Sequence, residues 1–294
     1  MDAQKRAFLF GISAVLLWST VASAFKISLR YLDPPQLVLY ASLASLLALG
    51  GVLVAQGKTG LVLSCTRRDC LLSLGLGLLN PFLYYLVLFE AYDLLPAQEA
   101  QPLNYTWAIA LGLLSIPLLG QRLTRADILA TAVSYTGVVI ISTRGDLLQL
   151  RFSDPLGVGL ALGSTVVWAL YWIFNTRDPR DPVAGLFLNF LFGLPFVLAY
   201  VLVFSETVVP DPRGLLGAAY VGVFEMGITF VLWLSALKLT TSASRIGNLI
   251  FVSPFLSLVL IHFLVGEDIR GSTFAGLVFI MGGLAVQQAG HRKA

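Results

Sequence analysis

The sequence predicts an all-α polytopic membrane protein, with ten transmembrane helices arranged as two inverted five-helix repeats around a central cavity. Three observations carry this expectation. The 294 residues are 57% hydrophobic and only 12% charged, with a mean hydropathy of +0.84, whereas soluble domains carry about 25% charged residues. Apolar runs of roughly 20 residues, the length that crosses a hydrocarbon core about 30 Å thick, recur along the whole chain. The region from Ala91 to Gly137 reappears as Ala236 to Gly283. Continuous apolar runs favour helices over a closed barrel, whose strands would alternate in hydrophobicity.

The expected spans are residues 6–28, 34–56, 71–92, 97–119, 126–143, 155–174, 183–204, 213–236, 242–264 and 272–290, separated by polar or Pro/Gly-rich punctuation. The first lies in "KRAFLFGISAVLLWSTVASAFKISLR", which has the basic start, apolar run and Ala22-Ser23-Ala24 site of a secretory signal peptide. Nine spans would remain after cleavage, so the stretch is assigned instead to the first helix of a paired set. Between the second and third spans lie Cys65 and Cys70 in a polar loop, with no second Cys/His pair to build a zinc site, and both are expected as free thiols. Residues 144–154 form the polar connector between the halves, so the expected domains are 1–145 and 155–294.

Counting Lys and Arg loop by loop places thirteen of the 19 on the N-terminal side and six on the other. An excess of positive charge marks the cytoplasmic face, so both termini are expected in the cytoplasm. In the repeat, "LLGQRLTRADILATAVSYTGVVI" aligns with "LVGEDIRGSTFAGLVFIMGGLAV", which sets Gly120 on Gly266 and Gly137 on Gly283, while Trp18 falls on Trp168. Five spans per copy is an odd number, so the copies would enter the membrane from opposite faces, as in transporters that bind substrate near the midplane.

Polar groups inside hydrocarbon are costly, about 2.5–3.5 kcal/mol for a central charge, and they face a partner or an aqueous cavity. Glu225 is the deepest carboxylate, and the repeat sets it opposite Asn80. It is read either as a contact for a substrate amine, as a titrating proton carrier, or as a hydrogen-bonded packing residue. The fourth span opens with Gln98, Gln101, Asn104 and Tyr105, of which 98, 101 and 105 share a face, and the ninth opens with Ser244, Gly247 and Asn248. Gln101, Asn104, Ser244 and Asn248 are candidate cavity-lining residues, with helix packing as the other use of such residues. Trp168, Tyr171, Trp172 and Asn175 fall at i, i+3, i+4 and i+7, an aromatic-polar stripe suited to a planar apolar ligand at roughly 0.5–1.5 kcal/mol per ring contact beyond burial. Trp18 and Tyr84 would complete the cage. Trp107 and Trp233 are read as interface markers or lipid-facing filler, and Lys26 as a snorkelling interfacial residue or a functional one.

The stretches "LLWSTVASAFK", "GQRLT" and "GED" resemble the first-helix signature and the Gly-Glu-Arg-Leu-Thr turn of the drug/metabolite transporter superfamily. Length, ten spans and five-plus-five duplication resemble its EamA-type branch, most of all the YddG aromatic amino acid exporters. Gln121, Asp268 and Ser19 depart from the usual residues at these signatures. The resemblance implies a secondary transporter that exports amino acids, aromatic ones favoured, and related metabolites from the cytoplasm of an inner membrane by alternating access. The alternatives are export of amphipathic cationic drugs and a non-transporting membrane receptor or scaffold. No metalloprotease, hydrolase, P-loop or dinucleotide motif occurs, and neither His262 nor His291 has neighbouring ligands, so no enzyme activity, cofactor, metal or nucleic-acid partner is expected.

If the opening helix is retained, intact mass spectrometry of purified protein will give the mass of residues 1–294. A product beginning at Phe25 would overturn the paired-repeat reading.

Overall fold

The computed structural model describes residues 3–120, 125–148, 152–175, 177–205, 210–240, 246 and 248–291. Among these, nine helices are long and apolar enough to cross a membrane, and no strand occurs. They are α1 (Ala3–Ser28), α2 (Pro34–Ala55), α3 (Arg67–Leu94), α4 (Ala97–Leu119), α5 (Arg125–Ser142), α6 (Pro155–Asn175), α7 (Pro182–Phe204), α8 (Pro212–Trp233) and α10 (Gly271–His291). Where the sequence suggested a ninth full span over 242–264, the described residues form a short 3-10 turn at Asn248–Val252 followed by the shorter apolar helix α9 (Ser253–Val265). Residues 242–245 and 247 of that span lie outside the described residues.

Local chemistry fixes the helix starts. Asp33 and Asp181 cap α2 and α7, their carboxylates accepting from Gln36 N at 2.7 Å and from Val183 N at 3.0 Å, with proline at the first helical position in both cases. Asp211 and Pro212 repeat the device at α8. Gly120 and Gly266 end α4 and α9 with φ of 69° and 83°, the left-handed conformation that glycine adopts without a Cβ penalty.

The packing follows a regular pattern. α1 lies against α8 and α9, α6 against α3 and α4, α2 against α7 and α8, and α7 against α2 and α3, while α5 and α10 pair along their length. Exchanging each helix with the one five places away maps these largest contacts onto one another. Lipid supplies no hydrophobic drive for helix association, so close backbone approach through small residues takes its place. A Cβ on Gly137 would meet the Gly276 carbonyl, one on Gly276 would meet the Gly137 carbonyl, and Gly283 rests on Ser134.

Two spans are interrupted at their centres. α3 passes through a π-helical stretch at Leu78–Leu83, in which Asn80 is non-helical (φ −148°, ψ 117°), and α8 passes through another at Val221–Ile228. Such π stretches frequently mark functional sites. In the second, Ser45 donates to the Met226 carbonyl at 3.0 Å, and Thr229 turns back to the Phe224 carbonyl.

Gly276→Leu forces α5 and α10 apart. Overpacking of this kind costs about 1–3 kcal/mol, so the thermal midpoint in detergent will fall, whereas the same change at Gly51, where an added Cβ meets nothing within 4 Å, will leave it in place.

Candidate functional site

A cavity of about 290 Å³ lies inside the bundle, with walls from α1, α3, α4, α6 and α8 and from Ile250 in the turn before α9. Helical spacing builds each wall. Trp18, Val21, Ala22 and Phe25 make one face of α1, Tyr84, Leu88 and Tyr92 one face of α3, and Phe230 and Trp233 one face of α8. The stripe predicted on α6 turns inward with Trp168 and Trp172 on the wall.

Aromatic contacts tie these helices together. Trp168 stacks on Tyr84 with ring centroids 4.4 Å apart and on Tyr171 at 5.6 Å, and meets Trp172 edge-on at 5.9 Å. Phe230 touches Trp18, Trp168 and Trp172, and so bridges α8 to both α1 and α6. Trp18 leans on Trp233 at 5.3 Å. At the end away from the N-terminus, Phe25 meets Tyr92 and Phe89 edge-to-face at 5.2 and 4.8 Å.

Inside this shell the polar groups are few. Glu225, in the π stretch of α8, accepts a hydrogen bond from the Tyr85 hydroxyl at 3.3 Å through Oε1, while its Oε2 is buried and has no partner. The Trp18 indole approaches the same carboxyl without forming a hydrogen bond of normal geometry. Gln101 Oε1 and Trp172 Nε1 are likewise buried and unpartnered. Asn104 donates through Nδ2 to Ser164 Oγ at 3.0 Å, which fixes its amide beside the cavity. Buried polar atoms are almost always satisfied in folded proteins. Two acceptors and one donor on residues that line one cavity are thus unmet within the protein.

Of the ten residues singled out from sequence, Trp18, Tyr84, Gln101, Asn104, Trp168, Trp172 and Glu225 line this cavity. Asn80 does not: it is wholly buried in the α3 break, with both amide atoms unpartnered, near Tyr171 and Asn189. The repeat offset equated it with Glu225, but the neighbours of a side chain, not its place in a copy, decide what it faces. Ser244 and the side chain of Asn248 lie outside the described residues. Gln98, predicted on the Gln101 face, is drawn instead to the membrane end of α4, donating to the Asp268 carbonyl at 2.9 Å and accepting from Arg270 N at 2.9 Å. Asn175 does not join the lining, and Tyr171 backs Trp168 rather than reaching the cavity. Trp107 and Trp233, read from sequence as interface or lipid-facing residues, are wall residues. Phe230, Phe25 and Tyr92 were not singled out. The i, i+3, i+4, i+7 spacing of Trp18, Val21, Ala22 and Phe25 was the signal available for Phe25. Cys65 and Cys70 are free thiols with their sulfurs 3.3 Å apart. Among the described residues no group of three His, Cys, Asp or Glu side chains converges as a metal site.

The EamA-like transporter family profile matches residues 5–143 and again residues 155–287. The aromatic amino acid exporter YddG of Ancylobacter novellus is 29% identical over 97% of both chains. A probable amino-acid metabolite efflux pump of Salmonella typhimurium is 26% identical over 99% of this chain and 97% of its own. A solved crystal structure superposes with a TM-score of 0.68 at 25% identity, covering 98% of each chain.

Tyr85→Phe removes the one hydrogen bond that Glu225 receives among the described residues, and leaving a buried acceptor unmet costs about 1–3 kcal/mol. The thermal midpoint will fall in Tyr85→Phe and fall by less when the change is made in a Glu225→Leu background. Equal falls in the two backgrounds would mean that the Tyr85 hydroxyl does not act through Glu225.

Proposed function

The chain belongs to the EamA-like transporter family, and on that premise we propose that it exports amino acids, aromatic ones favoured, and related metabolites from the cytoplasm by alternating access. It is a membrane transporter, not an enzyme. The observation that carries the substrate reading is the pairing of an aromatic shell with buried polar atoms of both kinds that have no partner within the protein. An α-ammonium group offers three donors, which Glu225 Oε2 and Gln101 Oε1 accept, and an α-carboxylate accepts from Trp172 Nε1. A planar side chain then lies among Trp18, Tyr84, Trp168 and Phe230 by offset or edge-to-face stacking. A volume of about 290 Å³ suits a small metabolite, just below the roughly 300–1,000 Å³ of ligand pockets.

Ten spans in two inverted copies, 1–145 and 155–294, complete the reading, with α9 and the residues before it as the ninth. It is supported by the two separate profile matches, the contact pattern that survives exchange of helices five apart, the paired π interruptions of α3 and α8, and the left-handed caps at Gly120 and Gly266. Both termini face the cytoplasm of an inner membrane, and rocking of the two copies about the cavity moves the substrate. Glu225 serves as a fixed binding partner. Among the described residues it is the sole acid on the cavity wall, which has no His, so a proton path would lack a second acid or imidazole beside it.

Counterflow in proteoliposomes tests this. Wild type will carry phenylalanine with saturation, Trp168→Ala will lose phenylalanine transport more than threonine transport, and Glu225→Gln will raise the KM with little change in pH dependence. Flux restricted to amphipathic cations would favour a drug exporter, and binding without flux a receptor. Accumulation driven by a pH gradient, lost in Glu225→Gln while exchange survives, would make Glu225 a proton carrier.

A further inference from the structure

A second cavity, about 670 Å³ and more open, lies at the end of the bundle opposite the N-terminus, walled by residues that include Lys26, Gln98, Arg144, Glu267, Asp268 and Arg270. It adjoins the central cavity along two helices. On α1, Lys26 borders the vestibule while Phe25 borders the central cavity, and on α4, Gln98 and Gln101 do the same one turn apart. The Phe25 and Tyr92 rings lie near the boundary.

The three cations and three carboxylates of the vestibule balance in number but are unevenly paired. Glu99, on the first turn of α4, has a wholly buried side chain, and a single oxygen, Oε1, accepts from both Arg144 Nε at 3.0 Å and Arg270 Nη1. Its Oε2 accepts from Ser153 Oγ at 2.5 Å. Glu267 uses its two oxygens on the backbone N–H groups of Ala97 and Gln98, at 2.8 and 3.0 Å, as a cap for α4. Asp268 points into solvent, and Lys26 Nζ donates to the carbonyls of Tyr92 and Leu95 at 2.6 and 2.8 Å. Two guanidinium groups therefore share one carboxylate oxygen, and most N–H donors of each fork are left without a carboxylate partner among the described residues.

Both guanidinium groups are accessible from the vestibule, with side chains 45% and 38% exposed, and each has five N–H donors in a planar fork that suits a carboxylate bidentately. Arg144 is held with φ at 55°, a left-handed conformation uncommon for a non-glycine residue. Residues kept in such conformations cluster at functional sites. Resting on the reading of the protein as an amino-acid transporter, we propose that the vestibule is a second, exit-side subsite for a free carboxylate, taken by Arg144 and Arg270 as substrate leaves the central cavity. Glu99 is the fixed anion that holds the pair in place, and the substrate's carboxylate takes the donors it leaves open.

Removing one arginine leaves the other on Glu99, so neither single substitution strands a buried carboxylate. The test is inhibition of phenylalanine counterflow by N-acetylphenylalanine, a carboxylate without an ammonium group, added to either face of proteoliposomes of known orientation. N-acetylphenylalanine will inhibit wild type from the vestibule face, its neutral amide will not, and Arg270→Gln and Arg144→Gln will each raise the inhibitory concentration at least three-fold on that face only. Arg270→Lys, which keeps the charge and loses the fork, will fall between, and the thermal midpoints of these variants will stay close to that of wild type. Equal inhibition by the amide, unchanged inhibition in both glutamine variants, or a matching rise on both faces would overturn the subsite while leaving amino-acid transport intact. A wild type that carries no phenylalanine would overturn the transport reading and the subsite together.

Discussion

Hydrocarbon offers no hydrogen-bond partner, and the rest of this structure depends on that constraint. A helix meets it by closing every backbone bond within itself, and so the chain crosses the membrane as helices. An interruption is tolerated where protein or a cavity covers the freed groups. α3 and α8 break at mid-span, at Asn80 and around Glu225, and both breaks are enclosed by neighbouring helices. At the second break, Ser45 from α2 and the hydroxyl of Thr229 take up backbone carbonyls that a regular α-helix would have bonded. The break that admits a carboxylate into the bundle is thus held by its surroundings.

The same constraint explains how the cavity and the membrane ends differ. At the ends, charged groups find partners. Arg180 joins Asp178 at 2.7 Å, Ser73 Oγ at 2.7 Å and the Asp69 carbonyl at 3.2 Å, and Lys58 joins Asp181 at 2.8 Å. Burial pushes the Asp181 carboxyl up, but the Lys58 ammonium and two backbone N–H groups outweigh it and hold it below the usual carboxylate range. In the centre, aromatic rings close around Glu225, Gln101 and Trp172 and leave an atom of each without a partner. Rings supply area and stiffness but few hydrogen-bonding groups, so an aromatic shell around scarce polar atoms leaves those atoms unmet within the protein.

Much of the architecture was legible before any coordinates. Composition forces a membrane protein, and the recurrence of Ala91–Gly137 as Ala236–Gly283 anticipated paired features such as the caps at Gly120 and Gly266. The α6 stripe was readable because helical period alone puts Trp168 and Trp172 together. Asn80 lies off the cavity wall and Trp107 and Trp233 lie on it, which the sequence does not show, for one reason. Hydropathy and period give the face a residue occupies on its own helix, and say nothing of which neighbour that face meets. Trp233 looks like an interface residue until α1 is placed beside α8 and brings Trp18 against it.

What the sequence determined by itself is what depends on a residue and its near neighbours along the chain: transfer into lipid, helix periodicity, caps and the repeat. The tertiary structure alone decided which helices meet, that Phe230 bridges α8 to α1 and α6, that Arg144 and Arg270 converge on Glu99 from distant parts of the chain, and which polar atoms are left unmet. Hydrogen bonds, ring stacking and ion pairs belong to pairs of groups, and no single residue carries the position of its partner.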